Sequence, residues 1–194
     1  MDILISGVGG QGTILASKIL ANGAILDGSE RARTGETIGM SQRGGCVVSH
    51  VRTSDTYSPY IPLGGADLLL SFELCEGARN LPHLKKDGVA IVNTAEINPI
   101  TVALGAASYD ADMMKDYIST NTKAYFLDAN KLSLECGSVK SVNVLLVGFA
   151  FGLGLLNISK ESLLHAIKNN VKPKFYEMNV KAFECGENHA KSSF

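Results

Sequence analysis

Asp2-Ile3-Leu4-Ile5-Ser6-Gly7-Val8-Gly9-Gly10-Gln11-Gly12 opens the chain, and its reading decides the fold. Ile3 to Ile5 form an apolar run that ends at glycine. From Thr13 to Leu26 apolar residues recur at helical spacing, at Ile14, Leu15, Ile19, Ala21 and Ile25. The pattern predicts a strand, a tight turn and a helix. Gly7, Gly9 and Gly12 match the spacing of a dinucleotide-binding turn, where glycines let the backbone approach an anion and the helix start offers free N–H groups. A complete NAD or FAD site also needs a second apolar strand ending in Asp or Glu about twenty residues on. Gly28 to Gly35 contains Glu30, but no apolar strand leads up to it, and Gln11 puts a bulky polar side chain inside the turn. Two readings stay open: glycines that only close a tight strand–helix turn, or a turn that meets the phosphate of another ligand.

Outward from this unit the same alternation continues. Cys46 to Arg52 alternates valines with polar residues, as in a half-exposed strand. Tyr57 to Pro62 reads as an extended segment confined to an edge or loop by its prolines. Asp67 to Phe72 and Gly88 to Asn93 are continuous apolar runs, typical of strands covered on both faces. Glu73 to Leu81 fits a helix that stops before Pro82, and Lys123 to Leu127 reads as a further strand. Ser141 to Leu156 is read as a buried helix, too short for a membrane span and interrupted by Asn143 and three glycines. Gly148 and Gly152, one turn apart on it, would let another element approach closely. Ser159 is a candidate N-cap for a helix with Leu163, Leu164, Ile167 and Val171 on one face. The last helix, from about Lys174 to His189, carries a stripe of Phe175, Met178, Ala182 and Cys185. The expected fold class is therefore α/β: a Rossmann-like three-layer domain with a mostly parallel sheet, some antiparallel edge pairing and a helical C-terminal part. It forms a single domain over residues 1–190, with 191–194 as a frayed tail.

Composition narrows the function. The 194 residues are 45% hydrophobic and 19% charged, with a net charge of −1. There is no basic surplus or stripe for nucleic acid, and Lys85-Lys86 reads as a solvated helix end. The N-terminus lacks the basic region of a secretory signal, so the expected compartment is the cytoplasm. Cys46, Cys75, Cys136 and Cys185 are scattered without a CxxC pair, which argues against zinc or an iron–sulfur cluster; they read as unpaired, small hydrophobes. No metal site and no catalytic residue is expected on this chain.

A second glycine block, Gly39-Met40-Ser41-Gln42-Arg43-Gly44-Gly45, follows Glu36-Thr37-Ile38 and has no role in an ordinary dinucleotide fold. Glycine here costs backbone entropy on ordering. One reading is a loop that lets the backbone approach a ligand or partner, with Arg43 as a forked donor to phosphate or carboxylate. The other is a structural turn with Arg43 in an internal ion pair.

The two blocks, with Val47-Val48-Ser49-His50-Val51-Arg52, Tyr57-Ser58-Pro59 and Ile61-Pro62, resemble the gamma-type domain of 2-oxoacid:ferredoxin oxidoreductases. Within that family the chain is most similar to small (beta) subunits of the indolepyruvate enzymes. The likeness continues through Ala66 to Glu73, Asn93-Thr94, Asn143-Val144 and the Lys174–Phe183 segment, so it covers nearly the whole chain. It implies the small subunit of an enzyme that oxidatively decarboxylates indolepyruvate or another arylpyruvate to an aryl-acetyl-CoA and reduces ferredoxin. A gamma subunit for another 2-oxoacid (pyruvate, 2-oxoglutarate, branched-chain) and a non-catalytic nucleotide- or CoA-binding module are the alternatives. In such enzymes thiamine diphosphate forms the carbanion and iron–sulfur clusters carry electrons. This chain has neither a Gly-Asp-Gly element for thiamine diphosphate and Mg²⁺ nor a cysteine cluster. Those cofactors are therefore expected on a large alpha subunit, with coenzyme A as co-substrate and ferredoxin reached through the complex. The resemblance points to Gly7, Gly9, Gly10, Gln11, Gly12, Met40, Gln42, Arg43 and Gly44 as candidate cofactor-binding residues. Relatives often carry His where Ile38 stands, so no imidazole role transfers to this chain. Apolar surface meant for the partner would make the isolated chain prone to dimerise.

Overall fold

Alternating apolar residues along the first strand split between two cores, and that split organises the molecule. Ile3 and Ile5 face one layer of helices while Leu4 faces another; Leu68 and Leu70 oppose Leu69 in the same way. The computed structural model describes residues 1–39, 45–53, 57–98, 102, 104–105 and 108–193. Six strands form one sheet: β1 (Asp2–Val8), β2 (Arg33–Ile38), β3 (Cys46–Arg52), β4 (Ala66–Ser71), β5 (Leu84–Asn93) and β6 (Lys123–Leu127). Their order is β2-β3-β1-β4-β5-β6. The β1–β4, β4–β5 and β5–β6 pairs are parallel, and β1–β3 and β2–β3 are antiparallel. This is the mostly parallel sheet with antiparallel edge pairing that the sequence predicts.

The α-helices among the described residues are α1 (Thr13–Leu26), α2 (Leu74–Asn80), α3 (Ala111–Asn121), α4 (Ala129–Glu135), α5 (Val142–Gly152), α6 (Lys160–Asn170) and α7 (Tyr176–Ser193). The larger core joins α1, α4, α5, α6 and α7 to one sheet face; the smaller lies under α2 and α3. Side-chain caps start four of them. Glu73, Asp110, Asp128 and Ser159 accept from the N–H groups of Glu76, Met113, Lys131 and Ser162, each satisfying an N–H that the helix leaves orphaned. Val142 to Ala150 on α5 are all buried. Among the described residues no helix is long and apolar enough to cross a membrane.

Several expectations need correction. Residues 33–38 are strand β2, which apolar patterning did not reveal. β3 is not half-exposed: Val47 to Val51 are buried, because α1 packs on one face of the strand and the Tyr60–Ile61 segment covers the other. Lys85 and Lys86 lie on β5 rather than at a helix end, and Lys85 pairs with Asp67. The cysteines are not all unpaired: Cys136 and Cys185 form a disulfide, and Cys46 and Cys75 are free. The buried face of α7 is Asn179, Ala182, Phe183, Gly186, Glu187 and Ala190, so the expected stripe is displaced; Phe175 precedes the helix and is exposed. The helix continues through Ser193, into the stretch read as a tail.

Candidate functional site

The carboxyl ends of β1 and β4 lie side by side, and α1 and α2 leave them toward opposite faces of the sheet. This is the switch point where open α/β sheets bind ligands. Here the crevice is bridged by one side chain. Gln11 folds back so that its Oε1 accepts the Val8 N–H at 2.8 Å and its Nε2 donates to the Phe72 carbonyl at 3.0 Å. Both ends of the amide are consumed inside the protein. A Cβ on Gly7 would lie 2.7 Å from Gln11 Oε1 and 3.1 Å from Phe72 Cβ, so any larger residue there displaces the Gln11 amide from its place. Gly12 has φ +84° and caps α1, and a Cβ on it would lie 2.5 Å from Asn143 Nδ2. Asn143 in turn donates to the Gly12 carbonyl at 3.3 Å. Gly10, at φ +101°, has open space around it.

Asn93, fully buried at the end of β5, extends this lacing. Its Nδ2 donates to the same Phe72 carbonyl at 3.0 Å and to Asn130 Oδ1 at 3.2 Å, and its Oδ1 accepts from Ala129 N at 3.0 Å. Below it, Ser6 Oγ donates to Ser71 Oγ (2.9 Å), which donates to the Glu73 carbonyl (2.7 Å). The Glu73 carboxylate, 1% exposed, accepts from Glu76 N, Ile97 N and the Tyr109 hydroxyl (2.7 Å). Burial, and the hydrogen bond to Glu73, push the Tyr109 phenol up. Tyr109 had no sequence signal as a site residue, and Asn93 entered only as part of the Asn93-Thr94 pair that carries the family likeness.

The structure brings the two glycine blocks together. Gly9 N–H donates to the Gly45 carbonyl at 2.8 Å, and Gly39 N–H to the Cys46 carbonyl at 2.9 Å. Between them lies a cleft of about 520 Å³ lined by Gly9, Gly10, Gly12, Thr13, Ile14, Ile38 and Val47. Its walls are mainly apolar, and Ile38 contributes one of them. The predicted Met40, Gln42, Arg43 and Gly44 lie outside the described residues. Of the others, Gly9, Gly10 and Gly12 face the cleft, whereas Gly7 and the Gln11 amide are turned into the packing. Cys46, opposite Val8 in the sheet, is protonated: burial, then its hydrogen bond with Glu76, push the thiol up to about 11. Burial also raises Cys75. Neither is poised as a nucleophile. Among the described residues no group of three or more His, Cys, Asp or Glu is placed to hold a metal ion.

Among the described residues the acidic strand of a dinucleotide site has no counterpart. The neighbour of β1 on that side is the antiparallel β3, and Glu36, on the edge strand β2, meets Ser17 of α1 at 3.5 Å. Fold and site thus define an α/β domain that keeps the glycine turn of the nucleotide-binding folds and, among the described residues, places no ribose-binding acid beside it.

The chain belongs to the pyruvate ferredoxin/flavodoxin oxidoreductase family, whose model matches residues 2–188. It is 38% identical over 194 residues to indolepyruvate oxidoreductase subunit IorB of Thermococcus kodakarensis, covering 98% of this chain and 96% of that one. The same subunit of Pyrococcus horikoshii shows 38% identity over 194 residues, with 98% and 96% coverage. Among solved structures, the gamma subunit of a keto/oxoacid ferredoxin oxidoreductase from Geobacter sulfurreducens superposes with a TM-score of 0.72 at 26% identity, covering 99% of both chains.

Proposed function

We propose that this chain is the small subunit of a cytoplasmic thiamine-diphosphate-dependent 2-oxoacid:ferredoxin oxidoreductase that takes indolepyruvate and other arylpyruvates. The observation that carries this reading is full-length similarity to indolepyruvate oxidoreductase subunits on both sides of the alignment. The chain acts as one domain over residues 1–190 and docks on a large alpha subunit. That partner holds thiamine diphosphate, Mg²⁺ and iron–sulfur clusters, and passes electrons to ferredoxin. Thiamine diphosphate supplies the carbanion chemistry. With coenzyme A, the arylpyruvate gives aryl-acetyl-CoA and CO₂.

This chain's own part is to border the path by which coenzyme A or the oxoacid reaches the partner's cofactor. Gly9, Gly10 and Gly12 line the cleft with backbone and no side chain, which leaves room for a ligand. Met40, Gln42, Arg43 and Gly44 stand on the segment whose ends are pinned beside that cleft, and Arg43 supplies a forked donor for a phosphate or carboxylate. The apolar walls from Ile14, Ile38 and Val47 suit an uncharged part of the ligand.

Co-expression with the large subunit tests the assignment, read by affinity purification and by arylpyruvate- and CoA-dependent dye reduction. Activity only when both chains are present supports it. A chain that remains alone and restores no activity would return the reading to a nucleotide-binding module. Arg43→Ala should raise KM for coenzyme A or oxoacid with the complex intact; normal turnover would remove the role given to Arg43.

A further inference from the structure

Phe72 offers one backbone carbonyl just past the end of β4, and two side-chain amides converge on it, one from the glycine turn after β1 and one from the end of β5. Gln11 Nε2 and Asn93 Nδ2 both lie 3.0 Å from that oxygen. Gln11 spends its other end on Val8 N, inside the glycine turn, and Asn93 spends its own on Ala129 N, at the start of α4. The turn is thus tied through one acceptor to the ends of three parallel strands. Gly9, on the same turn and on the wall of the cleft, donates to the Gly45 carbonyl at 2.8 Å.

We propose that Asn93 is a positioning residue for the ligand path, acting through the Phe72 carbonyl and Gln11 on the glycine turn. This rests on the proposed role of the cleft. The chemistry requires an amide: the same terminal group must donate to Phe72 and accept from Ala129. A carboxylate at this position keeps the acceptor, loses the donor and sets a negative charge beside a carbonyl oxygen. A hydroxyl is too short to do both. With a carboxylate at position 93 the Phe72 carbonyl is repelled from its place, Gln11 follows the oxygen it donates to, and the turn shifts at Gly9 and Gly10, which line the cleft. Small displacements of a positioning element are costly to binding and turnover without any direct contact.

The test uses the assembled two-subunit enzyme with coenzyme A and arylpyruvate as probes. Asn93→Asp is compared with Ile14→Trp, which fills the cleft directly. The expected result is a rise of about tenfold in KM for one of these ligands in Asn93→Asp, with kcat within about twofold, and a rise in the same KM in Ile14→Trp. If Ile14→Trp raises KM and Asn93→Asp changes only thermal stability, the positioning role is overturned and the cleft reading stands. If neither moves KM, the cleft reading falls and the proposal with it. If Asn93→Asp alone moves KM, it does not act through this cleft and the proposal is overturned. Should Asn93→Asp fail to accumulate, Gln11→Glu removes the other donor to Phe72 at a partly exposed position. The same split, raised KM with near-normal kcat, is then required of it.

Discussion

Gly148 on α5 and Gly186 on α7 mark two of the points where these helices meet backbone to backbone. A Cβ on Gly148 would overlap the carbonyl oxygen of Phe183, and one on Gly186 the carbonyl oxygen of Leu145. Neither obstacle is the tip of a side chain, so neither can move without shifting a helix. Gly152 repeats the contact against Glu187 and Ala190. The close approach anticipated for Gly148 and Gly152 is this packing. Gly186→Ala should therefore cost about 3 kcal/mol, at the upper end of overpacking effects, seen as a fall of about 10 °C in melting temperature. An unchanged melt would mean that the helices are farther apart than described.

His50 sets a pH dependence. It is 5% exposed, its Nδ1 accepts the Ile61 N–H at 3.1 Å, and its ring lies against Tyr60 and His83. Burial first, then the charges of His83 and Arg52, push it down to about 4 from 6.5. The folded protein binds this proton more weakly than the unfolded chain. Unfolding therefore takes up a proton between these values, and stability present above 6.5 is lost as pH falls toward 4. Urea titrations across this window should show the loss, and His50→Gln should flatten it. An equal slope in the variant would assign the acid sensitivity elsewhere.

Cys136, at the end of α4, and Cys185, on α7, are joined across 49 residues of chain. In the chain-entropy account, closing such a loop contributes about 4 kcal/mol. Reduced protein should melt about 10 °C below oxidised protein, and Cys136→Ser should abolish the difference. In a reducing compartment such bonds are held open as thiols, so the reduced value is the one that governs the protein there. Free thiols at all four cysteines in protein purified under oxidising conditions would contradict the pairing.

Tyr109 serves the buried Glu73 carboxylate. Tyr109→Phe removes a hydrogen bond to a charged group and should cost about 2 kcal/mol. Because burial and Glu73 hold its phenol protonated, the phenolate absorbance that develops at alkaline pH should be the same in the variant and the parent. A smaller rise in Tyr109→Phe would show that the phenol titrates with the others.

How much of this was visible in the chain follows from where the stabilising contacts lie. β1, β4, the end of β5 and α5 announce themselves through uninterrupted apolar runs. β2 does not: Arg33-Thr34-Gly35-Glu36-Thr37-Ile38 has one large apolar residue, and that residue is 58% exposed. Its strand state comes from pairing with β3, a tertiary effect that outweighs local pattern. β3 looked half-exposed because Ser49 and His50 are polar, yet both are buried. Gln11 was noticed as an anomaly in a nucleotide turn, but its partner Phe72 lies 61 residues away. The amide's role became readable only once β4 stood beside β1. Asn93, Tyr109 and the disulfide are hidden for the same reason: each acts through contacts far along the chain.

The anchors on either side of the second glycine block, Gly9 to Gly45 and Gly39 to Cys46, are backbone hydrogen bonds. None of them reads a side chain. The two ends of that block are therefore held, to the glycine turn on one side and to β3 on the other, by main-chain groups alone, so their attachment does not depend on which side chains stand at Gly9, Gly39, Gly45 and Cys46.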